Sequence, residues 1–184
     1  DTKPVAKRLL HCFKNLKGVM DAEISELEKV EGIGSHTAML IKLIKEMNTL
    51  YLKEKAMERP QITCTRELLD YCKNSMGGLK DEHFAVVYLD AQNRIIDVVT
   101  INEGIVNQAV VYPRKVMENA LHKKASAIIL VHNHPSGHIR PSDADIRLTR
   151  TIRETAKALD ISVHDHIIIG DNRFFSFREE GMMS

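Results

Sequence analysis

Residues 127–131 read Ala-Ile-Ile-Leu-Val, an unbroken apolar run that passes directly into His132-Asn133-His134-Pro135. A run this short and this apolar fits a strand covered on both faces. The chain must therefore supply helices to either side of a sheet, an α/β arrangement. Pro135 lacks an N–H and ends the strand, and Gly137 lets the following loop turn tightly. Side chains alternate along a strand, so His132 and His134 share one face. Asn133 takes the opposite face, where bonding to backbone is expected.

The rest of the chain divides by pattern. Val5, Leu9, Leu10 and Phe13 recur at helical spacing, as do Ile24, Leu27 and Val30. After Gly32-Ile33-Gly34, the residues Ala38, Leu40, Ile41, Ile44, Met47 and Leu50 continue as a long helix, so two helices flank a tight turn. The charged stretch 53–60, ending in Pro60, reads as a connection. This predicts a helical module over 1–57, a linker at 58–61 and a second domain over 62–184. In that domain Thr65 caps a helix that Gly77-Gly78 ends. Phe84 to Leu89 and Ile95 to Ile101 form a hairpin around residues 90–93. Val106 to Tyr112 reads as a further strand, and Pro113 opens a helix. A long helix is expected from Asp143 to Leu159, then strands from Ile161 to Ile169 and Phe174 to Phe177 around a Gly170-Asp171-Asn172 turn.

Composition excludes several classes. Of 184 residues, 43% are hydrophobic and 28% charged, which suits a folded globular protein. The net charge of +1 leaves any nucleic-acid role to a local patch. Three cysteines, Cys12, Cys64 and Cys72, form no CxxC pair, and an odd count argues against a disulfide framework. They are expected as small buried apolar residues. With no signal-like start and no membrane-length apolar run, a cytosolic protein is expected.

Two imidazoles on one face make half of a zinc site, and a catalytic zinc takes a third protein ligand and leaves one position open. Asp145 follows His134 after ten intervening residues, at the start of the next helix, where the loop can bring it back to the imidazoles. One zinc ion held by His132, His134 and Asp145 would activate water near neutral pH.

His-x-His, seven intervening residues, Ser, two intervening residues, Asp is complete in His132, His134, Ser142 and Asp145, and it resembles the signature of the JAMM (MPN+) metalloproteases. The fuller string HNHPSG…PSDADI resembles the bacterial RadC family, once called DNA repair proteins. So do residues 112–116, 165–170 and 176–181. The resemblance spans nearly the whole chain and implies a JAMM/MPN fold, a cytidine-deaminase-like mixed sheet with flanking helices. It also implies a preceding helix-hairpin-helix, a zinc-dependent peptidase or isopeptidase activity on a protein or peptide, and a bacterial cytoplasm. By the same resemblance Glu82, just before an early strand, is the general acid/base, with Glu103 its rival. Ser142 then steadies the tetrahedral intermediate.

Other readings stand beside these. Ser142 to Asp145 also resembles a capping box. His164, Asp165 and His166 form a second cluster in which His164 and His166 share a face. Asp165 or His166 is a candidate to support the zinc ligands. His138 is expected to be exposed, and Arg114 is either a surface charge or a substrate contact. The Gly32 and Gly34 backbone can approach a phosphate. Residues 1–60 nevertheless carry only eleven Lys or Arg against nine Asp or Glu. DNA contact, protein docking and a purely structural turn all remain open for that module, as does a DNA repair or recombination role, as a DNA-binding protein or a nuclease, for the whole chain.

Overall fold

A computed structural model describes residues 2–57, 66–102, 111–171 and 173–183, with the side chains of Arg66 and Asn102 left aside. The chain forms two compact units, Asp1–Tyr51 and Leu52–Ser184. Among the described residues no helix is long and apolar enough to cross a membrane.

The first unit is helical. It contains α1 (Lys3–Phe13), α2 (Leu16–Asp21), α3 (Ile24–Leu27) and most of α4 (Ser35–Met57). Leu9, Val19, Ala22, Leu27, Val30, Ile33 and Ala38 make its core, with Val5, Phe13 and Ile41 against it. The short α2 follows from Asn15, whose side chain accepts from Gly18 N at 2.8 Å as an N-cap. Between α3 and α4, Gly32 sits at φ +89°, a left-handed conformation that favours glycine. The helical pattern of α4 holds, but the burial expected from it does not: Leu40, Ile44, Met47 and Leu50 are exposed. Residues 53–57, expected within the connection, complete α4, and Ala56 is buried in the second unit's core. Residues 58–61 and Thr65 lie outside the described residues.

The second unit is a five-stranded sheet in the order β2-β1-β3-β4-β5. Its strands are β1 (Phe84–Leu89), β2 (Ile95–Asn102), β3 (Ala127–Asn133), β4 (Ser162–Gly170) and β5 (Arg173–Ser176). Among the described residues only β3 and β4 pair in parallel, through the crossover helix α7 (Asp143–Lys157); parallel neighbours need such a connection. All seven residues of β3 are buried. On one face Ile129 and Val131 pack with Leu68, Cys72 and Met76 of α5 (Arg66–Met76). On the other, Ile128 and Leu130 pack with Val116 and Ala120 of α6 (Pro113–His122) and Ile152 of α7. Burying a side chain of this size contributes about 1.5–3 kcal/mol, so β3 anchors whatever its end carries. The expected strand 106–112 lies outside the described residues except for Val111 and Tyr112, which are not strand.

The β4 strand departs from simple alternation. Ile128 pairs with Val163 while Ile129 pairs with Asp165, so His164 is an extra residue at a bulge. Val163 consequently packs on the α7 side, the side His166 also faces, and His164 turns away to meet Asn93 Oδ1 at 2.7 Å. The expected shared face of His164 and His166 is thus corrected. Cys72 is buried as expected, but Cys12 is exposed.

Candidate metal centre

Two strand ends and one helix start converge at the site. His132 closes β3 on the α7 side of the sheet, stacked on Phe84 (centroids 6.0 Å, interplanar 13°). His134 lies just past the strand, its N–H still donating to Ile169 O at 2.9 Å. Gly137 then turns the loop at φ +78°, where a Cβ would stand 2.7 Å from Asp171 Oδ2. The turn brings the His138 carbonyl to 2.7 Å from His134 Nδ1. A carbonyl only accepts, so Nδ1 carries the proton and Nε2 of neutral His134 presents a bare lone pair. His138's own side chain is exposed, as expected.

Asp145 enters from the first turn of α7. Ser142 is the N-cap: its Oγ accepts from Asp145 N at 3.2 Å, while its N–H and O–H both donate to Asp145 Oδ2 at 2.7 Å. The capping-box reading therefore holds, with Asp in the place usually taken by Glu. The cap has a consequence for the site, since it fixes the carboxylate that faces the imidazoles.

The donor atoms are closely grouped. His132 Nε2 is 3.0 Å from His134 Nε2 and 3.3 Å from Asp145 Oδ1, and His134 Nε2 is 3.5 Å from Asp145 Oδ2. Tetrahedral zinc with bonds of about 2.0–2.1 Å sets neighbouring donors about 3.4 Å apart. The three residues are thus grouped closely enough to hold a metal ion, His132 facing one Asp145 oxygen and His134 the other, and three protein donors would leave one tetrahedral position for a non-protein ligand.

Electrostatics agree with this. Burial lowers the His132 pKa to about 4, outweighing the Asp145 charge, so its ring is neutral. The hydrogen bond with Asp145 raises the His134 pKa, so a proton and a cation compete for the shared position. Asp145 is held well below the usual carboxylate range: its contacts with His134, His132 and Ser142 overcome the opposing cost of burial.

Glu82 lies half-buried just before β1, close enough for its charge to act on His134 and for Asp145 to act on it. Its pKa is raised, chiefly by desolvation. The segment carrying it is held by Asn133, the residue on the far side of β3 from the imidazoles. Asn133 Oδ1 accepts from His83 N at 2.7 Å, and its Nδ2 donates to Asp81 O at 3.0 Å.

The chain is similar to curated relatives along its whole length. The RadC-like JAB domain family matches residues 62–182. The chain belongs to the RadC family. A UPF0758 protein of Rhodobacter capsulatus is 40% identical over 183 residues, spanning 100% of this chain and 86% of that protein. A UPF0758 protein of Ruegeria pomeroyi is 39% identical over 183 residues, covering 82% of its own length. The mixed five-stranded sheet with flanking helices agrees with a RadC-like JAB domain.

The remaining expected residues separate in this RadC fold. His166, fully buried, places Nε2 at 2.9 Å from His132 Nδ1 and so touches a candidate ligand directly. Asp165 does not: its oxygens accept from His166 N, Arg178 N and Ser176 Oγ, tying β4 to the C-terminal turn. Arg114 is exposed and paired with Glu118. Gly32 packs near Val5 and Arg8, whereas a Cβ on Gly34 would meet open space. Glu103 lies outside the described residues. Sequence reasoning missed Thr149, buried beside His166; its position one helical turn after Asp145 is the signal that could have found it.

Proposed function

We propose that this chain is a zinc-dependent hydrolase of amide bonds, acting on a peptide or isopeptide, with Glu82 as general base and then general acid. The observation that carries this is the close group of two imidazoles and one carboxylate beside a partly desolvated carboxyl group. His132, His134 and Asp145 would hold the zinc ion, which would supply Lewis acidity to activate water and polarise a carbonyl.

The protein's own groups do the rest. Glu82 accepts a proton from the attacking water as its oxygen bonds to the carbonyl carbon. Its raised pKa makes it a stronger base than an ordinary carboxylate at neutral pH. When the C–N bond breaks, Glu82 returns that proton to the leaving amine. The Ser142 hydroxyl rests on Asp145 Oδ2 at 2.7 Å. In the reaction that hydroxyl would turn to donate to the developing oxyanion.

Glu82→Gln should keep zinc uptake and abolish hydrolysis of a peptide and isopeptide amide panel. Equal turnover in the variant removes Glu82 from the mechanism.

A second reading is DNA contact through the first unit, where a Cβ on Gly34 would meet open space. Binding of single-stranded or branched DNA that weakens steeply with salt supports it, and no binding at low salt eliminates it.

A further inference from the structure

We propose that Thr149 and His166 act as positioning residues that fix the tautomer of His132, leaving its Nε2 bare for a cation. This rests on the reading of His132 as a metal ligand and assigns the groups that prepare it.

The hydrogen-bond chain has one consistent direction. Thr149 Oγ1 lies 2.6 Å from the Asp145 carbonyl oxygen, one turn back in α7. A carbonyl cannot donate, so the single hydroxyl hydrogen of Thr149 points there. Thr149 Oγ1 also lies 2.6 Å from His166 Nδ1. Its hydrogen is already committed, so the oxygen accepts and His166 Nδ1 carries the proton. Neutral His166 then has an unprotonated Nε2, which lies 2.9 Å from His132 Nδ1. That contact is satisfied only if His132 Nδ1 donates. The remaining nitrogen, His132 Nε2, is the atom that faces His134 Nε2 and Asp145 Oδ1.

Burial makes this direction costly to reverse. Thr149, His166 and His132 are each at most 3% exposed, so water cannot replace a lost partner. His166 is stacked against Phe177, with centroids 4.8 Å apart and an interplanar angle of 20°, which holds its ring plane. One helix thus supplies both the Asp145 ligand and, through its backbone carbonyl, the proton order at the His132 ligand. Removing the Thr149 oxygen leaves His166 Nδ1–H without an acceptor and favours the other His166 tautomer. His166 Nε2 would then donate to His132 Nδ1 and drive the His132 proton onto Nε2, where it competes with the metal.

The test uses the whole 184-residue chain, metal-free in alkaline buffer, with imidazole nitrogens assigned by long-range proton–nitrogen NMR, and zinc affinity by competition with a chelating dye. The wild type should show Nδ1–H and bare Nε2 on both His132 and His166. Thr149→Val should shift both toward Nε2–H and weaken zinc binding about 10–100-fold, while Thr149→Ser keeps the wild-type pattern. A wild-type proton on Nε2 of either ring overturns the proposal even if the valine variant does not fold. So does a folded Thr149→Val with unchanged tautomers and affinity. Failure of the wild type to take up zinc would instead sink the metal reading, while the spectra still judge the hydrogen-bond chain.

Discussion

Asn133 holds the backbone on both sides of Glu82 with the two ends of one amide. It stands between two residues that face the candidate metal site, so one β-strand positions both the candidate ligands and the proposed proton carrier. Asn133→Leu should leave zinc uptake intact and lower turnover about 100-fold, because a displacement near 1 Å at a catalytic group costs that much. It should also lower stability by about 1–3 kcal/mol, since the His83 N–H loses its partner. Zinc titration, steady-state rates and chemical denaturation separate these effects; an unchanged rate rejects the positioning role. Competition between a proton and a metal at His134 makes a second prediction. Its pKa is raised, mainly by Asp145, and a metal must displace that proton. Zinc affinity should therefore fall by about tenfold per pH unit as pH drops below the folded His134 pKa, and level off above it. A flat profile contradicts this. For the metal-free protein, His132 acts in the opposite sense to His134. His132 is lowered to about 4, so its neutral ring contributes stability above 6.5 that is lost as pH falls from 6.5 toward about 4. His134, being raised, contributes stability below its unfolded value and loses it as pH rises through the folded one.

At the scale of elements, β3 and α7 were legible because local pattern and burial agree there. The apolar run 127–131 is buried throughout, and Ser142 starts α7 as the capping motif requires. Ile129→Ala, in the centre of β3, should therefore cost about 2–5 kcal/mol. Leu10→Ala, on the exposed side of α1, should stay within about 0.5 kcal/mol. Denaturant midpoints check both, and comparable losses would contradict this account of the core. Two features were not legible, each for a physical reason. The bulge at His164 arises from pairing with β3, which period-two reasoning within β4 cannot detect. In α4 the apolar period announces a helix correctly, but periodicity does not say whether a neighbour covers the stripe, and Leu40, Ile44, Met47 and Leu50 are exposed.

For the whole molecule, every group assigned to the site belongs to the second unit, Leu52–Ser184. The ligand set could be read from spacing because His132 and His134 share a strand face and Asp145 opens the next helix. His166 and Thr149 were harder, because they reach the site only through long-range packing of β4 and α7. A chain begun at Leu52 should bind zinc as the full chain does, and loss of affinity would show that the first unit contributes to the site. The most direct measurement is zinc titration of the full chain beside Asp145→Asn, with elemental analysis of both. The account predicts one tightly held ion per wild-type chain and its loss in the variant. Equal uptake by both proteins, or none by the wild type, would contradict it.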